Sequence, residues 1–293
     1  MNGSNQLVLA SKTAKAPAGP PEATMPWKPS FRISDIWRAP LHDLPMRDEI
    51  LRQFLGVAAG MRVLEVGPGS GFTAYRLAPH LGELTVMDIS QKNVAVLREN
   101  LGAIPNLRFV CADACTPGLA ERVESRFDTI YGLEVFEYLP DPAECLKNFA
   151  ELLLPGGALV LEFPNYPAPK SPGVTCFHKR EDFDRLMRAA GFSNWEIYAL
   201  RLRPFARLLY RGFHEQPLRL YRGWRNRSGA HKPMKYDQTW TFQNRQKMEP
   251  KRYLLHTFWT LLMGAMRLGG ECFEHRPLGA EILHHDLLVL ARR

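Results

Sequence analysis

The stretch VLEVGPGSG, Val63 to Gly71, runs a buried apolar strand into a turn with three alternating glycines. Glycine lacks a Cβ, so Gly67, Gly69 and Gly71 let the backbone turn sharply and come close to a ligand. A helix begins directly after the turn, and its first N–H groups have no partner inside the helix. The dinucleotide fingerprint GxGxxG would need a glycine at position 72, where this chain has Phe72. The pattern present is ExGxGxG, counted from Glu65.

Outward from this turn the chain alternates between strand and helix signals. ELTVMD (Glu83 to Asp88), LRFVCAD (Leu107 to Asp113), FDTIYGL (Phe127 to Leu133), ALVLEF (Ala158 to Phe163) and WEIYAL (Trp195 to Leu200) read as strands. FTAYRLAPHL (Phe72 to Leu81) reads as a helix. Ser90 caps a second helix running to Asn100, and Asp141-Pro142 opens a third that ends before Pro155-Gly156-Gly157. Arg180 to Ala190 forms a fourth. HHDLLVLARR, His284 to Arg293, returns to a strand pattern. Such alternation specifies an α/β fold with a largely parallel sheet and helices on both faces. Ligands of these sheets sit outside the carboxyl ends of the strands. The loops starting at Gly67, Asp88, Asp113, Leu133 and Pro164 are therefore the candidate site.

The 293 residues carry 45% hydrophobic and 23% charged side chains, the balance of a globular protein. Five cysteines, with no CxxC pair, point away from a disulfide scaffold or a structural zinc site and towards a reducing, cytoplasmic setting. Residues 1–30 read as a disordered Pro/Ala-rich tail without a secretory signal. Residues 31–60 read as an N-terminal helical segment, with Ile50, Leu51, Phe54 and Leu55 on one helix face. Residues 61–200 form the core, 201–280 an insertion, and 281–293 the final strand. The net charge is +8, and fourteen Lys and Arg against four Asp and Glu between Glu196 and Arg252 give that span +10. The basic character thus belongs to the insertion, which is also rich in aromatic residues. Its apolar run from Tyr253 to Met266 is shorter than the ~20 residues of a membrane span, so it is expected to be buried or interfacial.

Two further acids fall where a nucleoside would need them. Asp88 ends the second strand and can accept from both ribose hydroxyls. Asp113 ends the third and can accept from an adenine amino group. With VLEVGPGSG, VMDIS, CADA, FDTIYGLEVFEYLPDP and LLLPGGALVLEF in this order, the chain resembles the class I S-adenosylmethionine-dependent methyltransferases. Its likeness is to the small-molecule and quinone-biosynthesis type. The resemblance implies a Rossmann-like sheet of seven strands, the last antiparallel; the length and the Arg- and aromatic-rich composition of the insertion before that strand predict a mostly helical cap. It implies S-adenosyl-L-methionine as cofactor and S-adenosyl-L-homocysteine as product. Glu65, Gly67, Pro68, Gly69 and Gly71 would line or support the methionine part. Asp88 would hold the ribose, Ile89 would pack near the adenine, Asp113 and Ala114 would face its edge, and Leu133 would lie beside the cofactor.

Methyl transfer needs alignment of acceptor and methyl, exclusion of water and, for some acceptors, a base. Glu134, Glu137 and Tyr138 are the catalytic candidates; members of the family usually carry a histidine at the position of Tyr138. Tyr166 and His178 follow the fifth strand near the pocket mouth. Arg207, Tyr210, Arg211 and Trp240 of the cap are expected to touch the acceptor, with arginines holding an anionic group. No histidine completes an acidic cluster with Glu134 and Glu137, so no metal is expected. The acceptor is read as a small or lipid-like molecule. Peripheral contact of the basic cap with an anionic membrane is a further reading. Nucleic-acid methylation is the rival enzyme class. Against it, the fourth strand ends in GLEVFE and not in the Asn/Asp-Pro-Pro-Tyr signature of base-amino methylation, and no Pro-Cys pair supplies a nucleophile for cytosine. A silent binding subunit that only keeps the fold is the third alternative.

Overall fold

The computed structural model describes residues 50–51, 54–56, 58–69, 71–165, 175–217, 219–220, 258, 261–262, 264–283 and 285–293. The expected 1–30 tail, Tyr166, Trp240 and His284 lie outside these residues.

Eight strands build one sheet: β1 (Arg62–Val66), β2 (Glu83–Asp88), β3 (Leu107–Cys111), β4 (Phe127–Leu133), β5 (Leu153–Asn165), β6 (Asn194–Leu202), β7 (Phe273–Pro277) and β8 (His285–Arg292). Their order is β3-β2-β1-β4-β5-β8-β6-β7. β1 to β5 pair in parallel, while β8 enters antiparallel between β5 and β6. β1 and β4 are buried on both faces, which is why they read as nearly continuous apolar runs.

Among the described residues, the helices with both ends placed are α1 (Phe72–Leu77), α2 (Gln91–Leu101), α3 (Leu119–Val123), α4 (Pro142–Leu152), α5 (Arg180–Ala189) and α6 (Pro204–Tyr210). One face of the sheet packs on α3, α4 and α5 through Leu119, Leu146, Phe149, Phe183 and Met187. The other packs on Ile50 and Leu51, on α1 and α2, and on Ala206 of α6. Ser90 caps α2 by accepting from Asn93 N–H at 3.2 Å, and Asp141 caps α4 by accepting from Ala143 and Glu144 at 3.1 Å each.

Three expectations need correction. The expected seven strands become eight because FEHRP, β7, adds to the edge of β6. Only Phe273 in that strand is buried, and the intervening charges suit a guarded edge, so no apolar alternation marks it. The fifth strand starts at Leu153 and not at Ala158, carrying Pro155-Gly156-Gly157 within it across a break in register with β4. The first helix stops at Leu77, and Ala78–His80 tightens into a 3-10 turn around Pro79, which has no N–H to give.

Both ends of the excursion that follows β6 are fixed to each other, since Leu202 pairs with Phe273 at the carboxyl end of β6. Arg203 reinforces this neck by donating its backbone N–H to the Cys272 carbonyl at 2.9 Å and its Nε to the Phe273 carbonyl at 3.3 Å.

Candidate functional site

The turn after β1 is built from left-handed glycines. Gly67, Gly69 and Gly71 have φ of 66°, 54° and 75°, a region that costs other residues ~1–2 kcal/mol each. Packing adds its own demand. A Cβ on Gly67 would stand 2.6 Å from Cγ2 of Val135, and one on Gly71 2.4 Å from Cδ2 of Leu97 in α2. Val135 also closes on Gly132, where a Cβ would meet its Cγ1 at 2.9 Å. The turns after β1 and β4 therefore interlock through a side chain that no sequence pattern singled out. Glu65 is buried in β1, below the turn.

Asp88 stands half-buried at the tip of β2. Its Oδ1 accepts from Ser90 N–H at 2.8 Å and its Oδ2 from Asn93 Nδ2 at 2.7 Å. The same Asn93 amide donates to the Gly69 carbonyl at 3.1 Å. One side chain thus ties the acid to the glycine turn. Asn93 lies five residues beyond Asp88, in the first turn of a Ser-capped helix, and that position was the signal by which it could have been found. Ile89 follows, 68% exposed, an apolar side chain held open beside a carboxylate.

Asp113 is also half-buried, and its Oδ1 accepts from Cys115 N–H at 2.9 Å. Ala114 behind it is buried. Asn148 of α4 donates to the carbonyls of Ala114 and Thr116 at 2.9 and 2.8 Å, clamping this turn to the helix. Left-handed glycines, two carboxylates at neighbouring strand tips and an open apolar side chain between them fit a nucleoside with a short polar tail. Asp88 suits a diol, Ile89 the face of a flat base, and the Asp113–Ala114 turn its polar edge.

The tip of β4 carries the acidic candidates. Leu133 is buried. Glu134 is exposed and has φ of 53°, a left-handed conformation rare for a residue with a side chain, held by its N–H donating to the Glu162 carbonyl at 2.8 Å. Strain of this kind concentrates at functional sites. Tyr138 is 62% exposed, whereas Glu137 is buried in the short 3-10 turn Phe136–Tyr138. Glu134 and Tyr138 therefore meet solvent while Glu137 does not. The carbonyl of Glu137 accepts from Thr175 N–H, which brings the segment before α5 alongside. There Phe177 is buried among Phe136, Phe163 and Phe183. His178 is exposed, its Nε2 lying 3.7 Å from Sγ of Cys176.

The cap candidates divide. Tyr210 is half-buried at the end of α6, and its phenol is raised by burial first, then by Glu215 and by Glu134. Arg207 and Arg211 are exposed and have local partners: Arg207 Nη2 donates to the Leu202 carbonyl at 2.9 Å, and Arg211 pairs with Glu215 at 3.7 Å. A cavity of about 620 Å³ lies elsewhere, at the amino ends of β4 and β5 beside Asp128, Gly156 and Arg292. It is at the opposite end of the strands from the glycine turn and carries no part of this chemistry. Among the described residues no group of three or more His, Cys, Asp or Glu could hold a metal ion, and no helix is long and apolar enough to cross a membrane.

Comparison with known proteins gives the arrangement its context. Residues 41–197, more than half of the chain, match the family model described as a methyltransferase domain. A ubiquinone biosynthesis O-methyltransferase of Alkalilimnicola ehrlichii is 35% identical over 128 residues, 43% of this chain and 51% of the relative. One from Dechloromonas aromatica is 32% identical over 143 residues, 47% and 57% of the two chains. The chain spans about half the length of the curated relatives it matches. Among solved structures, phosphoethanolamine N-methyltransferase 2 of Haemonchus contortus, in complex with phosphomonomethylethanolamine and S-adenosylhomocysteine, superposes with a TM-score of 0.50. That match covers 85% of this chain and 53% of the other at 16% identity, a likeness of fold.

Proposed function

We infer the reaction from one premise: this chain belongs to the methyltransferase domain family. Class I members of that family take S-adenosyl-L-methionine as methyl donor and release S-adenosyl-L-homocysteine. The bound donor supplies a methyl group on a positively charged sulfur. The glycine turn from Gly67 to Gly71, with Glu65 and Pro68, receives the methionine part. Asp88 binds the ribose diol, Ile89 covers one face of the adenine, Asp113 and Ala114 recognise its edge, and Leu133 closes the side towards β4.

The acceptor is a small hydroxylated ring with an apolar, lipid-like tail, methylated on oxygen. The names of the ubiquinone-biosynthesis relatives support the class of acceptor. What supports the acceptor side is the neck: Leu202 pairs with Phe273 at the carboxyl end of β6, the end of the sheet that also carries the glycine turn and the tip of β4. Glu134 receives or orients the acceptor's hydroxyl proton, Tyr138 and His178 line the entrance, and Tyr210 helps exclude water; Tyr166 and Trp240 stay acceptor-contact candidates on the sequence alone. Arg207 and Arg211 give the entrance a positive field that favours an anionic group on the acceptor.

A second observation favours delivery of that acceptor from a membrane surface. Leu208, Phe213, Leu220, Leu261 and Leu268 are exposed along the excursion, within or beside a span of charge +10. Apolar side chains among arginines suit the interface of an anionic bilayer, where each basic residue contributes about 1 kcal/mol.

Calorimetry of the full chain with both forms of the cofactor tests the donor side, with saturable binding expected. Transfer of radiolabelled methyl to a polyprenylated catechol tests the acceptor side. Labelling of RNA, with none of the catechol, would reverse the choice of acceptor. Flotation with phosphatidylglycerol vesicles should be strong at low salt and weak at high salt; binding indifferent to salt and lipid charge removes the membrane reading.

A further inference from the structure

A thiol and an imidazole stand side by side in the segment between β5 and α5. His178 Nε2 lies 3.7 Å from Sγ of Cys176, within hydrogen-bond reach for sulfur. Cys176 is half-buried and His178 is exposed. The residue between them builds the pair. Phe177 turns inward and is buried among Phe136, Phe163 and Phe183. One buried amide, that of Asn165 at the carboxyl end of β5, holds both polar groups of its backbone. Phe177 N–H donates to Asn165 Oδ1 at 2.8 Å. Asn165 Nδ2 donates to the Phe177 carbonyl at 2.9 Å and to the Ile282 carbonyl at 2.8 Å. With the central residue fixed on both sides, its two neighbours face outward together.

Thr175 fixes where the pair sits. Its N–H donates to the Glu137 carbonyl and its hydroxyl to the Leu139 carbonyl at 3.4 Å. Those carbonyls flank Tyr138, whose side chain is open to solvent. The thiol thus follows, by one residue, the contact with the turn after β4, beside the entrance assigned to the acceptor. The other cysteines are placed differently. Cys145 and Cys272 are buried, Cys115 packs against the core, and the Cys111 thiol donates to the Ile89 carbonyl at 3.7 Å.

We propose that Cys176, with His178 as its base, is a nucleophilic site for electrophilic rings of the quinone class, and that the thioether formed there closes the entrance to the acceptor. The closure rests on the reading of the acceptor as a hydroxylated ring; an ortho-quinone is that ring with two electrons and two protons fewer. A thiol attacks as its thiolate, and a neighbouring imidazole supplies the thiolate by taking the proton. The Cys176 sulfur gives an electron pair to a ring carbon. The S–C bond forms, the ring C=C pair moves to a quinone oxygen, and that oxygen takes the proton from His178. The hydrogen at the attacked carbon passes as a proton, through water, to the second oxygen and restores the aromatic ring. One thiol and one quinone become one catechol thioether. No atom is lost, and the two electrons that reduce the ring come from the sulfur.

The test treats the full chain with a sub-stoichiometric dose of tert-butyl-ortho-benzoquinone or, separately, of N-ethylmaleimide, and maps the tryptic peptides. Cys176 falls in the peptide Ser171–Lys179, which holds no other cysteine. Both probes should label that peptide before those carrying Cys111, Cys115, Cys145 and Cys272. His178→Gln should slow the quinone label about tenfold or more with an unchanged denaturation midpoint. Fully labelled chain should bind S-adenosyl-L-homocysteine as before yet lose methyl transfer to a polyprenylated catechol. Cys176→Ala should keep that transfer after the same treatment. First labelling at another cysteine, or an unchanged rate in His178→Gln, overturns the nucleophilic pair. Labelling by N-ethylmaleimide but not by the quinone overturns the quinone class. A labelled chain that transfers methyl at the full rate overturns the closure. If the untreated chain transfers no methyl to the catechol while the adduct still forms at Cys176, the acceptor reading has failed and the closure with it, but the nucleophilic pair stands.

Discussion

The turns after β1, β2 and β3 and the excursion after β6 lie at the same end of the sheet, but different forces hold them. In the turns, the changes of direction have specific causes: a left-handed glycine, an acid accepting from backbone N–H groups, the Asn93 amide bridging the turns after β1 and β2, or the Asn148 amide clamping the turn after β3 to α4. The excursion is anchored by its neck at Leu202 and Phe273 and by a few buried side chains, Ala206, Leu262 and Met266 among them. Among its described residues, Arg203, Arg207 and Arg211 pair with nearby carbonyls and acids, and Leu208, Phe213, Leu220, Leu261 and Leu268 face outward. A donor shared by a whole family can be met by a rigid backbone. An acceptor that differs from member to member is better met by side chains on a weakly constrained cover, where substitution does not disturb the cradle.

This contrast can be broken most severely at Gly71. In Gly71→Val the new side chain collides with Leu97 and Leu101 at a φ of +75°. Overpacking and the left-handed backbone together cost on the order of 2–5 kcal/mol. The denaturation midpoint should fall and cofactor binding should vanish; a variant that keeps both would show that the turn tolerates bulk and is no cradle. Asp88→Ala comes next. With the ribose bound as proposed, it removes two charge-assisted bonds of ~1.5–3 kcal/mol each, so cofactor Kd should rise about a hundredfold or more while the fold persists. In Asn93→Ala the acid stays and only its tie to Gly69 is lost, and a rise of about fivefold is expected. Equal losses in the two variants, measured by calorimetry, would mean that Asp88 acts through the turn and not through the ligand.

The smallest effect probes the far end of the β6–β7 pairing, where Tyr198 faces Pro277. Burial and the Glu196 carboxylate push the Tyr198 phenol up to about 12, and its ring packs edge-on to His275 of β7. The unfolded phenol titrates near ~10. Between that value and about 12 the unfolded chain releases a proton that the folded chain keeps. Stability from this group is full below pH ~10 and declines as pH rises through that window. Tyr198→Phe should flatten the decline in a denaturation series; an unchanged slope would remove Tyr198 from the account of that pairing.

The cradle was legible because its demands are written in residue types. Glycines that need positive φ, acids at strand tips and caps such as Ser90 and Asp141 each announce a local conformation. The ties between elements were not legible. Val135 touching Gly67 and Gly132, or Asn148 reaching Ala114 and Thr116, depends on which helix lies over which turn. β7 escaped notice because an edge strand buries one residue and has no periodicity to read. Arg207 and Arg211 read from the sequence as charges facing an acceptor, and what the sequence did not show is that each has a partner close by in its own chain.

The position of β8 has a consequence for how the protein is made. β5 and β6 are not neighbours; each is hydrogen-bonded to β8. Of all the strands, β8 is the last to leave the ribosome, after the whole excursion. At ~5–20 residues per second, the excursion alone keeps the two flanking edges unpaired for several seconds. During that interval the nascent sheet exposes the kind of open strand edge on which aggregation begins. A long excursion between β6 and β8 therefore lengthens the time a growing chain depends on chaperones, and each residue inserted there adds to that dependence.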